Sequence, residues 1–182
     1  MELSELLVRT LTPSLRLVKV EGDAVFCYAD ADDFTDGERL VDLIELCYFD
    51  FSECLATMQR STTCRCAACA SMGSLDLKFV VHFGMFLVQH VAGIEDLAGP
   101  EVILLHRLMK NGISEATGYA AYCFLTEACL ARIPQQLGLR RHEETYESLG
   151  RVAGGVLDRQ PVLAAMRESR REFIDEQQST SR

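Results

Sequence analysis

The sequence predicts an α+β fold, and three observations support this class. Two pairs of short segments alternate between apolar and polar residues, which is typical of β-hairpins. A long segment with apolar residues at helical spacing separates the two pairs. Helical and extended segments then alternate towards the C-terminus. This order favours a ferredoxin-like mixed sheet with helices on one face.

The N-terminal part is expected to form a helix, a hairpin and a long helix. Leucines at helical spacing predict a first helix that Pro13 closes. Residues 15–21 and 24–29 alternate as strands, and Gly22-Asp23 between them is a two-residue turn signal. The capping box Thr35-Asp36-Gly37-Glu38 then predicts the start of the long helix.

The rest of the chain is interpreted in the same way. Pro100 at a first helical position opens one helix, and Asn111-Gly112 ends it. The remaining expected elements are a cysteine-rich loop at 61–74, a second hairpin of 75–83 with 85–91, a polar loop at 92–98, a strand at 119–125, a helix at 126–137, weaker strands at 140–146 and 151–157, and a helix at 161–177. We expect one domain over residues 1–160, followed by a C-terminal helix and disordered tail over 161–182.

Composition limits the functional classes. The chain has 182 residues, a net charge of −9 and a pI of about 4.9, which argues against a general nucleic-acid binder. No apolar run approaches the roughly 20 residues that span a bilayer, so no membrane insertion is expected. The acidic start Met1-Glu2-Leu3-Ser4-Glu5 is unlike a signal peptide. These features predict a cytoplasmic protein.

Asp23 is the first candidate for chemistry. A carboxylate at the tip of a hairpin is exposed and is held on a stiff element, so it suits a Mg²⁺ or Mn²⁺ ion that also binds phosphate oxygens. The alternative is a solubilising turn residue, because Gly-Asp is an ordinary turn pair.

Cys64-Arg65-Cys66-Ala67-Ala68-Cys69 is the second candidate, since three thiols fall within six residues. A tetrahedral zinc site needs a fourth ligand, which Cys54 or His82 could supply. The alternatives are small loop residues without a metal, or a redox-sensitive thiol cluster. The other cysteines lie in apolar patterns and are interpreted as core residues: Cys27, Cys47, Cys123 and Cys129.

Three segments carry a resemblance to a known family. Lys19-Val20-Glu21-Gly22-Asp23-Ala24-Val25 resembles the second metal-binding hairpin of class III adenylyl and guanylyl cyclases. Phe79-Val80-Val81-His82-Phe83-Gly84 is similar to their central strand. Asp96-Leu97-Ala98-Gly99-Pro100-Glu101-Val102, with Arg107-Leu108 further on, resembles the start of their later active-site helix. The Cys-x-Cys-x-x-Cys spacing also resembles an uncharacterised bacterial family of cyclase-like proteins.

The resemblance implies a nucleotidyl-cyclase-like fold and assigns roles to four residues. Asp23 matches the second metal-binding aspartate, and Arg107 matches the catalytic arginine that contacts phosphate. Lys19 and Asp96 match the base-binding pair of adenylyl cyclases, which implies an adenine nucleotide. Because the family builds its active sites across a dimer interface, the resemblance also implies a homodimer.

Two departures from the family pattern lower the expected activity. The family's first metal-binding aspartate lies on a strand before the opening helix, and none of the 182 residues matches that strand. Ile103 stands where the family has a transition-state asparagine. Losing one polar transition-state donor can cost about 10²–10³ in rate.

Three functions therefore remain open at this point. The first is a degenerate class III cyclase-like domain that binds an adenine nucleotide with little or no turnover. The second is a structural or interaction module that a bound zinc ion stabilises. The third is an active adenylyl cyclase whose first strand is encoded upstream of Met1.

Overall fold

The computed structural model describes residues 2–33, 37–133, 137–147 and 149–180. Within these ranges the helices are α1 Glu2–Leu11, α2 Gly37–Ser61, α3 Ala67–Ala70, α4 Pro100–Leu108, α5 Ile113–Thr117, α6 Glu127–Leu130 and α7 Gln160–Thr180. The strands are β1 Arg16–Glu21, β2 Ala24–Tyr28, β3 Lys78–Val81, β4 Leu87–Val91, β5 Ile94–Ala98, β6 Tyr122–Thr126, β7 Arg140–Tyr146 and β8 Gly150–Asp158. No helix among the described residues is both long and apolar enough to cross a membrane.

The sheet is mixed, as the sequence predicts. Four strands lie in the order β3-β6-β8-β7, where β3 and β6 are parallel and the other neighbours are antiparallel. The hairpins β1-β2 and β4-β5 form two further two-stranded sheets. The α+β class and the first hairpin, turned at Gly22-Asp23, are therefore confirmed.

The prediction of the second hairpin is wrong. The strand at 78–81 does not pair with residues 85–91 but lies parallel to β6, with Lys78 opposite Tyr122. The second hairpin instead joins β4 to β5, which replaces the expected polar loop at 92–98. Its turn consists of Ala92 at φ 52° and Gly93 at φ 79°. Two left-handed residues match the right-handed twist of the flanking strands, but alanine rarely signals such a turn.

Helices cover both faces of the four-stranded sheet, and not one face as expected. All five residues of β6 are buried. Cys123 packs with Ile44 of α2 on one face. Phe124 packs with Leu108 of α4 and with Ile113 of α5 on the other. A central strand that is buried on both faces has no polar alternation, which is why its sequence did not reveal the second layer of helices.

Outside this sheet, α1 and α7 both pack on α2. Leu7 of α1 lies in a buried cluster with Cys47 and Phe51 of α2. Arg167 of α7 donates from Nε to Glu53 Oε1 of α2 at 2.8 Å. The helix α6 is shorter than the predicted 126–137, of which residues 134–136 lie outside the described part. The first two residues of the predicted capping box and the tail residues 181–182 also lie outside it.

One buried ion pair connects α2 to the end of β8. Arg159 Nη1 lies 3.1 Å from Glu45 Oε1, and the arginine side chain is only 4% exposed. Its backbone amide also donates to the carbonyl of Ala121 at 3.2 Å. A buried guanidinium needs such a partner, because desolvating an unpaired charge is costly.

Candidate functional site

Lys19 and Asp96 lie next to each other, although 76 residues of sequence separate them. Lys19 projects from β1 and Asp96 from β5, and Nζ lies 3.6 Å from Oδ1. The two side chains are 36% and 40% exposed. The Lys19 ammonium also lies 5.9 Å from the centre of the Phe26 ring, which supports its position by a cation–π contact. The pair therefore presents one donor and one acceptor side by side on a half-exposed surface.

Asp23 occupies the second position of the turn between β1 and β2. Gly22 before it has φ 63°, the left-handed conformation that a type II′ hairpin turn requires at its first position. The side chain of Asp23 is exposed, and it makes no ion pair with any described residue. The carboxylate can therefore bind a cation without breaking an ion pair to any described residue.

Arg107 and Ile103 lie one turn apart on α4. Arg107 is exposed and has no ion-pair partner within the described part of the chain. Ile103 is 56% exposed, which is unusual for isoleucine. The helix begins with Gly99 as its N-cap and Pro100 in its first turn, as the sequence indicates.

The four matched residues fall into two groups. Asp23 and Arg107 both border a cleft of about 1200 Å³. Lys19 and Asp96 are not among the residues that border this cleft, but they contact each other. Ile103 also borders the cleft, so an apolar side chain lies on the same wall as the arginine.

The three cysteines between α2 and β3 come together, and α3, which contains Cys69, replaces part of the loop expected at 61–74. The sulfur atoms of Cys64, Cys66 and Cys69 all lie within 4.8 Å of one another. Hydrogen bonds with the thiols of Cys66 and Cys64 raise the pKa of the Cys69 thiol above its ordinary value. Neither Cys54, on α2, nor His82 belongs to this group of three. The cluster offers three soft ligands for a metal ion.

His82 belongs to a network that the sequence analysis missed. Its side chain is 9% exposed, with Nε2 2.7 Å from Glu101 Oε2 and Nδ1 2.9 Å from Thr126 Oγ1. With the proton on Nε2, the ring donates to the carboxylate and accepts from the hydroxyl. Thr126 Oγ1 itself accepts from the amide of Cys129. The ring nitrogens are thus occupied, and this network joins the end of β3 to α4 and β6.

A comparison with protein families identifies one match. The family described as "Protein of unknown function (DUF2652)" matches residues 1–118. Among curated proteins, the uncharacterized protein Rv2561/Rv2562 of Mycobacterium tuberculosis is 27% identical over 147 residues. That alignment covers 79% of this chain and 66% of the mycobacterial protein.

Two solved structures are similar in fold. Both are described as a bacterial light-regulated adenylyl cyclase, with a TM-score of 0.52 and 13% sequence identity. The match covers 92% of this chain but only 48% of each cyclase chain. This likeness confirms the nucleotidyl-cyclase-like fold that the resemblance implies.

Proposed function

We propose that this chain, which belongs to the DUF2652 family of proteins of unknown function, binds an adenine nucleotide with little or no turnover. The observation that carries the proposal is the contact between Lys19 and Asp96 at 3.6 Å. The two residues that resemble the base-binding pair of adenylyl cyclases are far apart in sequence, yet they lie together. The fold shared with two adenylyl cyclases supports the same function.

The chemistry of this pair suits adenine. The edge of adenine offers a ring nitrogen that accepts a hydrogen bond and an exocyclic amino group that donates one. Lys19 can only donate, and ionised Asp96 can only accept. Guanine presents the opposite order of donor and acceptor on this edge, so both protein groups would lose their partners. A site of this kind rejects the wrong base because polar groups remain unpaired.

The phosphates of the nucleotide would bind to residues that border the cleft. Arg107 has no ion-pair partner among the described residues, so it is available to phosphate oxygens, and its planar guanidinium suits them. Asp23 supplies one carboxylate, so a Mg²⁺ or Mn²⁺ ion would bind there mainly through the nucleotide's own phosphate oxygens. Such an ion would neutralise phosphate charge. Low turnover follows because Ile103 cannot hydrogen-bond a developing charge in the transition state.

Isothermal titration calorimetry with ATP or GTP in the presence of Mg²⁺ tests this proposal. We expect binding of ATP and at least tenfold weaker binding of GTP. Asp96→Asn should weaken ATP binding, because the amide no longer offers a charged acceptor. Asp42→Asn, an exposed aspartate on α2, is the matched control and should change nothing. Equal affinity for both nucleotides, or none for ATP, would refute the proposal.

The nucleotide-binding form is proposed to be a homodimer. Several large apolar side chains of the β4-β5 hairpin and its approach are exposed, namely Met85 at 88%, Leu87 at 71%, Val91 at 59% and Ile94 at 69%. Such a patch is typical of an interface between chains. Because Asp96 lies on β5, an interface formed by this hairpin would lie next to the Lys19–Asp96 pair.

Sedimentation velocity tests the pairing. Leu87→Asp should shift the protein to a monomer and should weaken ATP binding in parallel. Leu46→Asp is the control, because Leu46 is also an exposed leucine, at 47%, but lies on α2. A wild-type protein that stays monomeric at high concentration would contradict the proposed dimer.

A second proposed role is a structural zinc site in the cysteine cluster. The observation that favours it is the mutual approach of Cys64, Cys66 and Cys69 within 4.8 Å. Zn–S bonds of about 2.3 Å in a tetrahedron place the sulfur atoms roughly 3.8 Å apart, so only a small contraction is needed. Cys54 is the proposed fourth ligand, and it would have to approach from α2. A site of this kind would stabilise the loop between α2 and β3.

Titration of the metal-free protein with Co²⁺, which reports thiolate ligands by absorption, tests this role. We expect an intense thiolate charge-transfer band that Cys66→Ser weakens, and a Tm that rises when Zn²⁺ is added. If Cys54 is the fourth ligand, Cys54→Ser should weaken the same band. An unchanged band would indicate a site with three thiolates. A metal-free protein with the same Tm as the Zn²⁺-treated protein would exclude a structural zinc ion.

A further inference from the structure

The cysteines of this protein differ in their exposure to solvent. All eight lie in the described part of the chain, and two of them are exposed, namely Cys64 and Cys66. Cys69 beside them is half-buried, and its thiol forms hydrogen bonds with both of theirs. Cys47 and Cys123 are buried, which raises the pKa of each of these two thiols to about 12. Small reagents in water therefore reach the cluster more easily than they reach the thiols of the core.

The backbone holds Cys66 and Cys69 within one turn. Cys66 is the N-cap of α3, and its carbonyl accepts a hydrogen bond from the amide of Ala70 at 3.0 Å. Residues three apart on a helical turn have Cβ atoms about 5–6 Å apart, and a disulfide needs about 3.5–4.5 Å. The two sulfur atoms already lie within 4.8 Å of each other. A bond between them therefore needs only a local contraction of this turn.

Cys64 is a less suitable partner for Cys69, although it is equally close. It lies in the segment 62–65, which forms no helix or strand. Fixing the backbone of such a segment in one conformation costs conformational entropy. The cost is smaller for Cys66, because α3 already fixes the residues between Cys66 and Cys69. Cys64 would then remain as a third thiol beside the bonded pair.

The segment that contains the three thiols carries positive charge. Residues 54–75 include two arginines and no aspartate or glutamate. Of the carboxylates that flank the segment, Glu53 pairs with Arg167, and Asp76 accepts a hydrogen bond from a backbone amide. Arg65 lies between the two exposed cysteines, is itself exposed, and has no ion-pair partner in the part of the chain that the structure describes. The segment therefore attracts an anionic reagent more than a neutral or cationic one.

We propose that Cys66 and Cys69 form a reversible disulfide, and that the oxidant is an anionic disulfide of low molecular weight such as oxidised glutathione. The sulfur of Cys66 attacks one sulfur of the reagent, which forms a mixed disulfide and releases the first reagent thiol. The sulfur of Cys69 then attacks the sulfur of Cys66 and releases the second reagent thiol. The protein thus loses two protons and two electrons, and the reagent takes up both. An excess of the reduced reagent reverses the two steps.

The disulfide and a metal ion at the same cluster would exclude each other. The disulfide uses two of the three thiols, so only Cys64 of this group would remain as a ligand. A single thiolate does not form the tetrahedral site that zinc requires. The cluster would therefore lose its metal ion when oxidised and bind it again when reduced. This consequence rests on the proposed zinc site, whereas the disulfide itself does not.

Peptide mapping by mass spectrometry tests the disulfide on the metal-free 182-residue chain. The protein is equilibrated with reduced and oxidised glutathione at fixed ratios, and the remaining thiols are then blocked with N-ethylmaleimide. We expect a disulfide between Cys66 and Cys69 at oxidising ratios, which an excess of reduced glutathione removes. Cys69→Ser should stop the reaction at the mixed disulfide between Cys66 and glutathione.

Two variants serve as controls for this experiment. Cys64→Ser should keep the disulfide, because Cys64 is not part of it. Cys27→Ser should also keep it, since Cys27 is half-buried like Cys69 but lies on β2. No protein disulfide at any glutathione ratio would overturn the proposal, and a bond from Cys64 to Cys69 in the wild type would overturn the proposed pairing.

The preference for an anionic oxidant is tested by the rate of oxidation. Arg65→Ala should slow oxidation by oxidised glutathione about fivefold, because one exposed positive charge next to the thiols is lost. The same variant should react with the neutral hydroxyethyl disulfide as fast as the wild type does. Equal slowing with both reagents, or no slowing with either, would contradict the role of Arg65.

Co²⁺ titration of the reduced and the oxidised protein tests the exclusion of metal. We expect a thiolate charge-transfer band in the reduced protein and none in the oxidised protein. A band of equal intensity in both forms would overturn the exclusion. A band in neither form would contradict the proposed zinc site, and the peptide map would still decide whether the disulfide forms.

Discussion

Replacing Lys19 by alanine should have a small effect on the free energy of unfolding and a large effect on the Kd for ATP. The ammonium lies 3.6 Å from Asp96, and both side chains are more than a third exposed. Ion pairs in such positions contribute only about 0–1 kcal/mol, because water screens them. We therefore expect Lys19→Ala to lower the free energy of unfolding by less than about 1 kcal/mol. For a chain of this size that corresponds to a fall in Tm of at most about 2–4 °C.

The effect on ATP binding should be much larger. A hydrogen bond to a charged group contributes about 1.5–3 kcal/mol when its partner is desolvated, as the edge of a bound base is. Loss of the Lys19 donor should then raise the Kd for ATP by about 10- to 150-fold. Asp96 would also lose its neutralising neighbour, which adds to the cost of binding.

Urea denaturation and calorimetry on the same preparations measure both quantities. Arg141→Ala is the control, since Arg141 of β7 also forms an exposed ion pair, with Glu127, and does not border the cleft. It should leave the Kd unchanged. If Lys19→Ala binds ATP as tightly as the wild type, Lys19 does not contact the nucleotide. A loss of affinity that is matched by an equal loss of folding stability would contradict such a contact too.

Three further predictions concern the scaffold. Glu45→Ala leaves the buried guanidinium of Arg159 without its ion-pair partner. Urea denaturation should therefore show that the free energy of unfolding falls by about 3–5 kcal/mol. A fall of less than about 1 kcal/mol would contradict a buried pair. Burial raises the pKa of Cys123 from 9.0 to about 12, so its contribution to stability is complete below pH 9 and is lost between pH 9 and 12. Stability should fall there by roughly 1.4 kcal/mol per pH unit for this thiol, and Cys123→Ala should show a shallower slope. A Cβ at Gly154 would lie 2.6 Å from the Phe124 ring, so Gly154→Ala should lower the free energy of unfolding by about 1–3 kcal/mol. Gly138→Ala is the control, because a Cβ there meets no atom within 4 Å and should have little effect in the same assay.

Elements specified by neighbouring residues were predictable from the sequence. The turn at Gly22-Asp23 needs one left-handed residue, and glycine supplies it at the correct position. The helix after Gly99-Pro100 follows from the same kind of local signal. The partner of β3 was not predictable, because its parallel pairing with β6 joins segments that are more than 40 residues apart.

The candidate site was predictable only in part. The resemblance of the segments around Lys19 and Asp96 to class III cyclases suggested their roles, but only the pairing of β4 with β5 explains how Asp96 reaches its position on a strand. The approach of the three cysteines follows from their closeness in sequence. No local pattern indicates that His82 bonds to Glu101 and Thr126, because each of these residues lies on a different element.

Our proposed function, binding of an adenine nucleotide that is left intact, can be tested in one experiment. Equilibrium dialysis with ATP and Mn²⁺, followed by chromatographic separation of ATP from 3′,5′-cyclic AMP in both chambers, measures binding and turnover together. We expect ATP to be enriched on the protein side and to be recovered unchanged. Equal ATP concentrations in the two chambers would contradict nucleotide binding, and rapid accumulation of cyclic AMP would contradict the loss of turnover.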